Sequence, residues 1–126
     1  MRVALLSLMA SLLLTSCGSR DAGLQRSMVG TWIPSAQTNC VISLASDGTF
    51  TTTWKIFRTN GVEELVYRGT WQIQNGYEVM TIADASGSVR REPVATVERR
   101  RIIRLDDREL IYQETGDTNL LSAKRK

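Results

Sequence analysis

The chain has 126 residues, 42% of them hydrophobic, with 16 basic and 13 acidic side chains and a formal charge of +3. No histidine is present, which excludes imidazole general bases, Ser-His-Asp triads and histidine-held zinc or copper. So mild a charge gives no reason to expect nucleic acid as a partner.

The N-terminus carries the most specific signal. A single basic residue, Arg2, precedes an apolar run from Val3 to Leu14, then Thr15-Ser16 and Cys17. The run is too short for a membrane span of about 20 helical residues and has the order of a secretory signal peptide. Leu14-Thr15-Ser16-Cys17 resembles the lipobox of bacterial lipoproteins. The resemblance implies cleavage after residue 16, lipidation of Cys17 and a lipid-anchored protein of the cell envelope. Gly18 after the cysteine, in place of an aspartate, implies the outer membrane facing the periplasm where the cell has two membranes. The alternative is a plain signal peptide whose cleavage site Cys17 merely follows. Cleavage removes Arg2 and leaves 110 residues with a charge near +2, enough for one domain and its core. A lipidated Cys17 leaves Cys40 without an intramolecular disulfide partner. Cys40 then reads as a small buried hydrophobe, with a redox thiol or an intermolecular disulfide as alternatives.

Residues 17–27 read as a tether ending in a helical turn, followed by a domain over residues 28–126. Within it, turn signals recur at Ser46-Asp47-Gly48, Asn60-Gly61, Asn75-Gly76, Ser86-Gly87-Ser88, Asp106-Asp107 and Thr115-Gly116-Asp117. Asn-Gly and Asp-Gly pairs supply the positive φ that tight hairpins require. The first strand is expected at Gly30–Ile33, before a loop around Pro34 to Asn39, and the next opens with the apolar Cys40–Leu44. In Thr49–Phe57, Phe50, Trp54 and Ile56 alternate with Thr51, Thr53 and Lys55. In Leu65–Gln74, Leu65, Tyr67, Gly69, Trp71 and Ile73 share a face. A period of two marks antiparallel strands with one wet side. A further strand is expected over Tyr77–Asp84, and the remaining turns bring the total to eight. The fold class is therefore all-β, a single antiparallel meander barrel of about eight strands, since closure removes exposed edges. A rolled half-barrel or β-sandwich is the alternative.

Gly30-Thr31-Trp32 recurs as Gly69-Thr70-Trp71, with Asp47-Gly48-Thr49-Phe50 between them. This order resembles the small lipocalin-like domains of bacterial lipoproteins, over roughly residues 28–124. The resemblance implies that Trp32 plugs one barrel end, that Gly30 is a close-packing point and that Asp47-Gly48 turns the next hairpin. It also implies a late arginine packed over the first-strand tryptophan, a role the sequence alone assigns to no residue.

Candidate chemistry is sparse. Seven arginines fall within residues 90–108 against four acids, leaving a net +3. Arginine forks suit phosphates and carboxylates, so Arg99, Arg101 and Arg104 are candidates for an anionic or partner-binding surface; the alternative is a solvated strand face. Simple alternation puts Arg99 and Arg101 on one face and Arg100 and Arg104 on the other, unless a bulge intervenes. The pairs Glu63-Glu64 and Asp106-Asp107 read as residues flanking turns, since strand neighbours point to opposite faces. No nucleophile elbow, phosphate-cradling loop, metal site or cofactor motif is present, so no enzyme is expected. Trp54, Tyr67 and Trp71 are the candidate ligand-binding residues; core packing is the alternative for them. The leading expectation is a membrane-anchored barrel binding a small apolar or amphiphilic molecule. The other is a filled barrel serving as an envelope scaffold or protein-partner module, through strand edges or the arginine stretch.

Overall fold

The computed structural model describes residues 20–87 and 96–126. Eight strands follow in meander order: β1 (Gly30–Pro34), β2 (Cys40–Leu44), β3 (Thr49–Arg58), β4 (Gly61–Gln74), β5 (Tyr77–Ser86), β6 (Val97–Leu105), β7 (Glu109–Glu114) and β8 (Leu121–Arg125). Each pairs antiparallel with the next, and β1 pairs with β8 to close a barrel. This is the closed eight-stranded meander expected from the strand periodicity and turn signals, and it matches the lipocalin-like barrel that the Gly-Thr-Trp resemblance implies. Closure gives every strand two neighbours, while β3 beyond Trp54 and β5 beyond Thr81 extend past their pairing with β2 and β6.

Alternation drives the burial. Ile42, Leu44, Phe50, Leu65, Tyr67, Trp71 and Ile73 are buried, while their strand neighbours are more exposed. The Asp47 carboxylate accepts from the Thr49 amide at 2.9 Å and the Thr49 hydroxyl at 2.6 Å, which holds it below the usual carboxylate range and fixes the β2–β3 turn. At Asn75-Gly76, both residues adopt positive φ, 53° and 78°.

The segment read as a tether is instead largely a helix, α1, over residues 20–28, docked on the barrel end where β1, β3, β5 and β7 begin. Met28 is fully buried and Leu24 packs against the core. Gln25 Oε1 accepts from the Ile73 amide at 3.1 Å, and the Asp21 carboxylate accepts from Asn75 and Gly76 at 2.7 and 3.0 Å. The helix thereby satisfies amides at the end of β4 and in the β4–β5 turn. Residues 1–19, including Cys17, and residues 88–95, including Arg90 and Arg91, lie outside the described residues.

Trp32 sits beneath α1, 1% exposed, and its indole donates to the Met28 carbonyl at 2.9 Å. Arg125 lies over the indole at 4.3 Å from the ring centre. The same guanidinium donates to the carbonyls of Asp107, Val29 and Ser27 at 2.9, 2.8 and 2.6 Å. Arg125 is thus the residue that packs over the first-strand tryptophan. Gly30 makes room for it: a Cβ there would stand 2.6 Å from Arg125 Nη1, and the glycine's φ is 142°.

Candidate functional site

With α1, Trp32 and Arg125 closing one end, the lumen opens at the other. A cavity of about 210 Å³ is lined by aromatic and aliphatic side chains together with a small polar set. It exceeds the roughly 150 Å³ void that holds a benzene molecule and falls short of a typical drug-sized pocket of about 300 Å³ or more.

β3 turns Phe50, Thr52 and Trp54 into the cavity, and β4 contributes Tyr67. Trp54 and Tyr67 thus share the cavity, as their strand faces predict. Trp71 does not line it. Two further steps along the inward face of β4 carry Trp71 toward the closed end, where its indole donates to the Ala45 carbonyl at 2.9 Å. It secures the β2–β3 turn, so period-two reasoning gives its face correctly but not its depth. Cys40 is 1% exposed yet also borders the cavity, and burial pushes its thiol up to about 11. A thiol so protonated is a poor nucleophile.

The charged part of the wall comes from β6 and β7. Their inward faces present Glu98, Arg100, Tyr112 and Glu114. Behind Arg100 lies Glu78 of β5, 3% exposed. Arg100 Nη1 stands 3.8 Å from Glu78 Oε1, and Nη2 stands 3.4 Å from Glu98 Oε2. The guanidinium also lies 5.4 Å from the centre of the Tyr112 ring. Burial opposes the charge of Arg100, but Glu78 and Glu98 outweigh it and hold the guanidinium protonated. Burial pushes Glu78 above the usual carboxylate range against the pull of Arg100, and its Oε1 has no hydrogen-bond partner.

This inward arginine was hidden in the arginine run. The signal for it is alternation: Ile102 and Arg100 share the buried face of β6, with Arg99 and Arg101 outside. A register shift between Ile102 and Arg104 then reverses the pattern. Ile103 and Arg104 both face outward, correcting the alternation that put Arg104 beside Arg100. Arg99, Arg101 and Arg104 therefore share the outer surface. Arg99 lies over the Tyr77 ring at 5.4 Å, and Arg104 pairs with Glu109 at 3.0 Å.

Of the acidic pairs, Glu63 and Glu64 lie within β4 and not in a loop. Glu63 pairs with Arg58 across the hairpin at 3.0 Å. Asp106 does close a turn, accepting from the Arg108 and Glu109 amides at 2.8 Å, which holds it below the usual range. Among the described residues no cluster of side chains could hold a metal ion, and no helix is long and apolar enough to cross a membrane. Comparison with known proteins finds no matching family and no similar curated sequence.

Proposed function

We propose that this chain is a lipid-anchored protein of the cell envelope whose barrel binds a small amphiphilic molecule in its lumen. The observation that carries the reading is the one-ended cavity, with Phe50, Trp54 and Tyr67 on one side and Glu98, Arg100 and Glu114 on the other. An apolar body against a few fixed polar groups is the usual composition of a small-molecule site. The lipid anchor rests on the lipobox resemblance at Cys17, and its membrane is the outer one, facing the periplasm, where two are present.

The test is native mass spectrometry of the Cys17→Ser chain, exported and purified without detergent. A discrete extra mass that is lost on denaturation is expected, and Trp54→Ala should remove it while the protein stays folded. Cargo retained by folded Trp54→Ala would move the site elsewhere. A bare polypeptide that also takes up no added amphiphile would favour the filled-barrel scaffold, with the outward Arg99, Arg101 and Arg104 as its contact surface for an envelope partner.

A further inference from the structure

Building on the lumenal-binding reading, we propose that the cavity selects a small organic cation: an ammonium or amidinium group on an apolar body little larger than a phenyl ring. Among the described residues, the charges facing the cavity are two carboxylates, Glu98 and Glu114, and one guanidinium, Arg100. A third carboxylate, Glu78, stands directly behind that guanidinium.

Arg100 is not offered to an anionic ligand. Its two terminal nitrogens are turned to carboxylates, Nη1 toward Glu78 and Nη2 toward Glu98. An entering carboxylate or phosphate would have to displace one of these and would then meet the others at short range. A cation meets the opposite field. Among the described residues, three carboxylates against one guanidinium leave two excess negative charges, and one remains even when Glu78 is protonated. Glu114 has no direct ion pair among the described residues, although its charge reaches Arg100. The buried Glu78 Oε1 receives no hydrogen bond, since Arg100 Nη1 stands 3.8 Å away.

The placement of apolar groups fits the same ligand. Glu98 and Glu114 stand at the open end, where the Glu98 side chain is 37% exposed and a cationic head keeps part of its hydration. Trp54 lines the same mouth with an aromatic ring of the kind that attracts cations, while the Tyr112 ring already has the Arg100 guanidinium beside it. Ile42, Phe50 and Met80 receive the apolar body deeper in the lumen. The cavity volume limits that body to a ring and a short linker.

Three probes of nearly equal size separate the possibilities: 2-phenylethylammonium, 2-phenylethanol and phenylacetate. Each is titrated into the detergent-free Cys17→Ser chain by calorimetry, with the tryptophan emission followed in parallel. The ammonium probe should bind roughly tenfold or more tighter than phenylacetate, a difference of about 1.4 kcal/mol or more. Replacing both Glu98→Gln and Glu114→Gln should abolish that preference, the ammonium probe binding no tighter than 2-phenylethanol on the same variant, with folding checked by near-ultraviolet dichroism. Phenylacetate binding as tightly as the ammonium probe, or an ammonium preference that survives both substitutions, would overturn the cation assignment. Binding of the alcohol with no charge preference would also overturn it while leaving the lumenal-binding reading intact. Failure of all three probes, with no native cargo, would remove both.

Discussion

At Arg125 one side chain ties together parts of the chain that share no local structure. Its guanidinium reaches carbonyls before β1 and between β6 and β7 while stacking on Trp32. Arg125→Ala should cost about 2–4 kcal/mol in urea unfolding, because charge-assisted bonds and a partly desolvated cation–π contact go together. Gly30→Ala should cost roughly 1–3 kcal/mol from positive φ alone, with a steric part added by Nη1. The two should therefore couple: Gly30→Ala costs less in the Arg125→Ala background. Equal costs in both backgrounds would show that the glycine serves the backbone only. Glu78 makes a different prediction, about pH. Burial raises its folded pKa above the unfolded value, so the native state binds the extra proton between the two. Its effect on stability is most favourable below the unfolded value and declines as pH rises through the folded one. Asp47 and Asp106 have lowered values and act oppositely, contributing above their unfolded values and losing that contribution as pH falls. Glu78→Gln should flatten the decline above the ordinary carboxylate range while leaving the acid limb in place. A variant whose urea midpoint falls with pH as steeply as the parent would assign the slope to another group.

Elements were more legible than depth. Turn pairs such as Asn75-Gly76 and alternating runs such as Phe50, Trp54 and Ile56 locate strands because both follow from local backbone geometry and a half-buried surface. The helix over residues 20–28 is less legible. Arg20-Asp21-Ala22-Gly23 has little apolar periodicity, and its order draws on tertiary contacts: Met28 and Leu24 against the core, Asp21 and Gln25 on distant turn amides. The site divides in the same way. Tyr67 and Trp54 follow from their strand faces, whereas Trp71 shares the face but lies toward the closed end, a coordinate that pairing and barrel tilt decide. Arg100 was obscured by flanking arginines, and the bulge between Ile102 and Arg104 has no glycine or proline to announce it. Gly69 lies at the other register shift, where a Cβ would run into the Thr81 carbonyl oxygen, so close backbone approach explains the second Gly-Thr-Trp copy better than repetition does.

The whole molecule has a polarity that bears on how it would sit at a membrane. α1 leads the chain into the closed end, whereas the loop between β1 and β2, the β3–β4 turn and the cavity mouth lie at the other. On the proposed lipid anchor, only three residue steps separate Cys17 from residue 20, a reach of about 10 Å. The closed end is then held against the head groups and the mouth faces away, so a ligand enters from water. The tryptophans provide a direct reading of this arrangement. Trp32 and Trp71 are 1% and 3% exposed at the closed end, while Trp54 is half-buried beside the mouth. In the lipidated protein on vesicles, aqueous iodide should quench emission to the same extent as in the soluble Cys17→Ser chain. Brominated acyl chains should leave the accessible component untouched. A cavity ligand should protect that component from iodide in both forms. Quenching of Trp54 by brominated lipid, or loss of iodide access on vesicles, would place the mouth at the bilayer and make the membrane the route by which cargo enters.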